Sequence, residues 1–242
     1  MKNKQKEQEL KKEEHKAKLR EAKAKRRQDP NINRRPEKIE RKSRILIACE
    51  GKNTEKDYFD RFKAPAINIE VLGIGDNTVS LVDKTIKIRD SKPKNYYDEV
   101  WCVFDADPKP DNPAQLQNFN KAIWKAEQEK ILVAYSHQAF EYWLLLHFND
   151  YQGEPMNRDL YKQNLNTFLK PFELEYDNDK RSKSISEELF DVLMAKEKGK
   201  RRVDWAIARS EKIFKELDHS NPSKNESSTS VFLLVQKLLE MK

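Results

Sequence analysis

The chain has 242 residues, with 48 Lys/Arg against 41 Asp/Glu for a net charge of +7, and charged and hydrophobic residues each make up 37%. That is material for one large core or two small ones, and no apolar run approaches the ~20 residues a membrane-spanning helix needs. No signal peptide opens the sequence, so a cytoplasmic protein with no membrane partner is expected. Its two cysteines, Cys49 and Cys102, each lie inside an apolar run, which fits buried reduced thiols better than a disulfide or a zinc site.

The charge is uneven. Residues 1–44 carry 18 Lys/Arg against 8 Asp/Glu, and the remainder carries 30 against 33. Residues 1–28 are rich in Lys, Glu, Ala and Gln with almost no large apolar side chain, so residues 1–40 are expected to form a basic arm, helical or disordered. Pro30 and Pro36 would interrupt a helix there. Two readings stay open. The arm lies along a phosphate backbone and releases a counterion for each phosphate it neutralises, or it is a solubilising or partner-docking extension. On the first reading Arg26, Arg27, Arg34 and Arg35 are its nucleic-acid-binding candidates.

Ile45 to Cys49 is a run of small and apolar residues, the pattern of a buried parallel strand. It ends on Glu50, Gly51 lets the backbone turn, and Thr54 is placed to cap a helix that starts at Glu55 and carries Tyr58, Phe59 and Phe62 to the core. In α/β folds such a unit sets side chains at the carboxyl edge of the sheet, where sites are built. The alternative is an ordinary turn with an incidental Glu. Lys52, in the same turn, is a further nucleic-acid-binding candidate.

Ile67 to Leu72 alternates and predicts a second strand, ending at Gly73 and Gly75. Asn77 or Thr78 is placed to cap a helix stepped by Val79, Val82, Ile86 and Arg89. Glu99 to Phe104 predicts a third strand that runs into Asp105 and Asp107. Alternate side chains of an extended chain point the same way, so the two aspartates can converge just past the strand end. Clustered carboxylates repel one another unless a cation lies between them, and Mg²⁺ or Mn²⁺ is the natural occupant of an all-oxygen site. Two solvated aspartates on a surface turn are the alternative.

Residues 114–130 read as a helix with Leu116, Phe119, Ile123 and Trp124 on one face, and Ile131 to Ser136 as the fourth strand. Residues 137–148 then form a helix apolar on nearly every side, which implies burial all round. Glu141 in its first turn needs a partner, either a metal centre at the same edge or the unpaired N–H groups of the helix start. His137 and His147 are candidate acid–base groups, though a single His beside an apolar segment is more often structural.

Beyond residue 150 come four amphipathic stripes. They are Leu160, Tyr161, Leu165, Phe168 and Leu169; Leu189, Phe190, Val192 and Leu193; Val203, Ala206, Ile207, Phe214 and Leu217; and Val231, Phe232, Val235, Leu238 and Leu239. They predict a helical layer over 151–242, packed on an α/β core over 41–150. The basic cluster Lys196, Lys198, Lys200, Arg201 and Arg202 reads as a solvated face, with contact to phosphate as the alternative. No GxxxxGK[ST] loop occurs, and no Ser/His/Asp or Cys/His set has usable spacing.

Glu50-Gly-x-x-Thr-Glu55 followed by Tyr58-Phe59, then Phe104-Asp105-x-Asp107, resembles the Toprim module of topoisomerases, primases and OLD-type nucleases. With Cys49-Glu50-Gly51 and Phe140-Glu141-Tyr142-Trp143-Leu144-Leu145-Leu146-His147-Phe148 added, residues 40–240 resemble the RloB family, associated with bacterial restriction-modification and phage-defence loci and often encoded beside an ABC-type ATPase. The chain departs from that pattern at His137-Gln138-Ala139 and in a longer segment, Lys224 to Ser228. The resemblance implies an α/β, Toprim-like Rossmannoid with a mostly parallel four-stranded sheet and an added C-terminal helical layer.

It also implies Mg²⁺- or Mn²⁺-dependent phosphodiester cleavage of DNA, tRNA or another RNA, under an ABC-type ATPase partner. Whether the chain forms an oligomer is left open by these residues. Asp105 and Asp107 would hold the metal with Glu55, Glu50 would share it or act as acid and base, and Glu141 would stand behind it or at a second metal. A non-catalytic nucleic-acid- or ATPase-binding subunit, its acidic site structural or vestigial, is the alternative.

Overall fold

The computed structural model of the chain describes residues 2–27, 42–65, 67–75, 77–109, 112, 114–151, 156, 158–177 and 183–241. The chain divides into two units, Met1–Arg41 and Lys42–Lys242. In the first, helix α1 (Lys2–Arg27) is polar on every side, and those of its side chains that are described are exposed. With no apolar stripe to bury, such a helix draws on pairs one turn apart, such as Glu21 and Lys25 at 3.7 Å. Arg26 and Arg27 close α1, whereas Arg34, Arg35, Pro30 and Pro36 lie outside the described residues.

The second unit alternates β1 (Arg44–Cys49), α2 (Thr54–Asp60), β2 (Asn68–Gly73), α3 (Thr78–Asp90), β3 (Glu99–Asp105), α4 (Ala114–Gln128) and β4 (Leu132–Ser136). The strands form one sheet in the order β2-β1-β3-β4, and every pairing is parallel. This is the expected α/β fold, with a sheet parallel throughout. Both faces are covered. Ile45, Ile47 and Cys49 point to a core shared with α2, while Leu46 and Ala48 point to one shared with α3 and α4. A strand buried on both faces has no polar side to show, which is why 45–49 reads as a continuous apolar run. The chain leaves β1 for β2 on one side and returns to β3 on the other, so a crevice opens between the carboxyl ends of β1 and β3.

Local details differ from the sequence expectation. Asn77 caps α3, its side chain accepting from Ser80 N at 3.0 Å. Thr54 does not cap α2. It is the first helical residue, and Asn53 before it makes no side-chain cap bond. Trp124 is 64% exposed, because the buried stripe of α4 is completed by Ala122 and Ala126. The helix expected over 137–148 contracts to α5 (Glu141–Leu145), though Ala139 through His147 are all buried.

The chain continues through α6 (Arg158–Leu169), α7 (Glu187–Met194), β5 (Lys196–Glu197), β6 (Lys200–Arg201), α8 (Arg202–Lys215) and α9 (Val231–Glu240). Tyr161, Leu165, Leu189, Val203, Val235 and Leu238 bring these helices into the same core as α2 and α5. The basic cluster is not a plain solvated face. Strands β5 and β6 form an antiparallel hairpin turned through Lys198 (φ 50°) and Gly199 (φ 84°). Arg202 is buried, its guanidinium 5.7 Å from the Phe148 ring centroid and 4.9 Å from that of Phe172, and Nη1 donates to Val192 O at 2.9 Å. Both cysteines are free and buried, and burial pushes the Cys102 thiol up to about 11. Among the described residues no helix is long and apolar enough to cross a membrane.

Candidate active site

Three loops meet at the carboxyl edge of the sheet, after β1, β3 and β4. Strand register sets their starts side by side: Cys49 pairs with Val103, and Asp105 with Ser136. Two backbone bonds extend that register past the strands, from Glu50 N to Val103 O at 2.8 Å and from Ala106 N to Ser136 O at 3.0 Å. Glu50 and Asp105 are therefore neighbours. Asp105 N donates to Glu50 Oε2 at 3.4 Å, and Asp105 Oδ2 accepts from Phe140 N at 3.1 Å.

Gly51 makes room for a third carboxylate. A Cβ at this position would fall 1.9 Å from Glu55 Oε2, so the missing side chain lets buried Glu55 fold back over the turn. Lys52 packs against the next loop. A Cβ on Gly73 would lie 2.7 Å from Lys52 Cα, and one on Gly75 (φ 71°) would lie 2.1 Å from Lys52 Cε. The two βα turns thus touch through glycines, and the Lys52 stem runs across the second.

A cavity of about 380 Å³ opens here, lined by Lys52, Glu55, Asp105, Glu141, Asp177 and Lys183 among others. Four residues singled out in the sequence, Lys52, Glu55, Asp105 and Glu141, share it. Glu50 and Asp107 are not among the lining residues, although Glu50 reaches the Asp105 backbone. Asp107 does not continue the alternation of β3. Strand β3 stops at Asp105, and Asp107 takes a left-handed φ of 41°, so the period of two is broken; its Oδ2 lies 3.5 Å from Lys109 Nζ.

Glu141, 4% exposed, has its partners in residues that showed no signal in the sequence. Lys183 Nζ lies 2.6 Å from its Oε1, and the Tyr176 hydroxyl donates to the same oxygen at 3.1 Å. The lysine ammonium supplies the positive charge that a metal was expected to supply. Thr54 Oγ1 lies 2.9 Å from both the Tyr176 hydroxyl and the Lys183 carbonyl, which ties α2 to this segment. Burial first, and the Glu141 carboxylate second, raise the Tyr176 phenol far above its ordinary range. Tyr176, Asp177 and Lys183 sit in polar, aperiodic sequence; the one pointer to them was the unmet need of Glu141 for a partner.

The two histidines are structural. His137 is buried with Nε2 2.8 Å from Ser223 O, and its backbone N–H donates to Ser228 O. The segment running up to Ser230 is thereby fastened to the end of β4, with Ser136 bridging to Thr229. His147 Nδ1 lies 3.0 Å from Trp143 O, and burial lowers its imidazole to about 3, against those backbone hydrogen bonds. It is a neutral core group at physiological pH.

Among the described residues no group of three His, Cys, Asp or Glu is placed to hold a metal ion. The donor chemistry at the β1–β3 crevice still suits a hard divalent cation. Glu50 and Asp105 offer only oxygen, from adjacent strand ends, and Mg²⁺ is commonly held by one or two carboxylates, with water and substrate phosphate completing its shell.

A comparison with curated proteins found no match, and neither did a comparison with solved structures. A family model described as RloB-like protein does match, over residues 45–238. That span runs from β1 into α9 and takes in every strand and loop of the site, and the chain belongs to the RloB-like family.

Proposed function

We propose that the protein is a divalent-metal-dependent nuclease that cleaves a phosphodiester of DNA or RNA at the carboxyl edge of its sheet. The observation that carries this reading is the cavity in which Lys52 and Lys183 stand with Glu55, Asp105 and Glu141 beside the β1–β3 crevice. Glu50 and Asp105 would hold Mg²⁺ or Mn²⁺, Glu55 is a further ligand, and Asp107 on the following turn is the remaining candidate. Such an ion supplies Lewis-acid polarisation of a phosphoryl oxygen. Lys52 and Lys183 bring positive charge to the phosphate, Glu141 holds Lys183 in place, and Glu50 takes up the proton of the attacking water. The likeness to Toprim modules supports the reaction class. The association of RloB proteins with phage-defence loci supports a role as a defence effector under an ABC-type ATPase partner.

The test is incubation of the purified chain with supercoiled plasmid, single-stranded DNA and total tRNA, in Mg²⁺, Mn²⁺ or EDTA. At least one polymer is expected to be cut with metal and none in EDTA, with Asp105→Ala slowing the cut by on the order of a hundredfold or more. Equal cutting by Asp105→Ala would reject the site. One observation favours a second reading: among the described residues no three acidic groups are placed to hold a metal ion, and Glu141 is engaged by lysine. A binding subunit with a structural acidic site would leave all three polymers intact, alone and with its ATPase.

A further inference from the structure

The amino edge of the same sheet carries a second cavity, of about 480 Å³, between the end of α3, the loop 91–98 and the start of β3. Its loop is built around a tight turn. Tyr96 N donates to Pro93 O at 3.0 Å, and Asn95 adopts φ 59°, a left-handed conformation that Asn tolerates well. Lys92 and Lys94 are exposed on this turn, while Tyr96 and Tyr97 are half-buried. Tyr97 is anchored, its hydroxyl donating to Glu70 Oε2 at 2.6 Å, and its ring meets that of Tyr96 edge-on with centroids 4.9 Å apart. The Arg44 guanidinium lies 4.4 Å from the Tyr96 ring centroid and Lys92 Nζ 5.6 Å from it.

The acidic groups around this cavity are engaged by the protein itself. Asp90 and Glu129 pair with Arg89 at 2.8 and 2.9 Å, and Asp98 accepts from Arg44 N at 2.8 Å. Asp90 and Glu129 share the one Arg89, so one negative charge remains there and another on Asp98, against the positive charges of Arg44, Lys92 and Lys94; Arg44 and Lys92 lie over the Tyr96 ring and Lys94 lines the same cavity. Cations spaced along a groove with an aromatic platform between them are the parts from which sequence-tolerant recognition of single-stranded nucleic acid is made: phosphates meet the cations, and a base stacks on the ring or the guanidinium. A purely apolar ligand would meet too much charge here, and an acidic peptide would leave the rings without a purpose.

We propose that this cavity binds a single-stranded stretch of nucleic acid, with a base against the Tyr96–Arg44 pair and adjoining phosphates on Lys92 and Lys94. The site is separate from the carboxyl-edge cavity and does not rest on the nuclease reading, since it uses no metal and none of the acidic residues there.

The test is fluorescence anisotropy of the full chain with a labelled oligothymidylate of about ten nucleotides, in EDTA and over a series of salt concentrations. Lys92→Glu/Lys94→Glu is expected to raise Kd at least about tenfold and to make the slope of log K against log salt shallower by about 1.4, the share of two single-strand phosphates. Both lysines are exposed, so the thermal midpoint serves as the control for folding. Tyr96→Leu is expected to weaken binding by about tenfold through lost stacking. Because the assay is run in EDTA, it reads no metal-dependent step, which separates this proposal from the catalytic one. Any contribution of the basic arm is common to all these proteins and cancels. A Kd within twofold of the parent and an unchanged slope in the double variant would overturn the proposal. Competition by thymidine monophosphate as strong as by the unlabelled oligomer would overturn the polymer as its ligand in favour of a free nucleotide.

Discussion

Glu141 and His147 stand six residues apart on one buried segment and meet the cost of burial in opposite ways. At the cavity end, the Glu141 carboxylate is given an ammonium and a phenol from a distant part of the chain. At the core end, His147 is held neutral among Trp143 and Tyr58, its ring centroid 4.9 and 6.4 Å from theirs. A group buried with a partner retains its charge as something chemistry can use, whereas one buried without charge is packing. The two residues come from the same apolar run, yet one faces the cavity and the other is packed in the core.

That contrast can be strained by experiment. The largest effect is expected from acid. Between pH 6.5 and about 3 the unfolded chain binds a proton at His147 that the folded chain refuses, so stability falls as pH falls, with a slope approaching about 1.4 kcal/mol per unit and a loss of roughly 2 kcal/mol from pH 6.5 to 4.5. In His147→Phe this part of the slope should vanish while the slope from the carboxylates stays. Urea unfolding of both proteins across that range measures it, and equal slopes would mean that His147 titrates normally.

A smaller loss is expected at the other end. Breaking a fully buried ion pair from one side costs about 3–5 kcal/mol, but the Lys183 side chain is 42% exposed and water replaces part of what is lost. Lys183→Met should therefore cost about 1–2 kcal/mol, read as a fall in Tm of about 2–8 °C. Adding Glu141→Gln should return most of that loss, because no unpaired charge is then buried. A double variant no better than the single one would show that Lys183 stabilises by its stem and not by its charge.

The four strands and their parallel sheet were legible because a sheet covered on two faces writes itself as apolar runs between turn residues, as in Ile45–Cys49 and Val100–Phe104, whereas the strand order came only with the structure. The positions of Glu50, Glu55 and Asp105 followed from where those runs end. What the sequence hid was set by long-range contact. Lys183 reaches Glu141 across 42 residues, and no local period marks it. Trp124 lost its place on the buried face because two alanines let α4 approach closely, a packing choice that apolarity alone does not reveal. Asp107 does not continue the alternation because the strand stops two residues earlier, at Asp105, and Asp107 itself is left-handed.

The most direct measurement is calorimetric titration of Mn²⁺ into the full chain, with and without a phosphorothioate oligonucleotide that resists cleavage. Binding is predicted to be saturable, to tighten when the oligonucleotide completes the ion's shell, and to weaken about 10–100-fold in Glu50→Gln and in Asp105→Asn. Mn²⁺ binding that is absent under both conditions, or that neither substitution alters, would contradict the account.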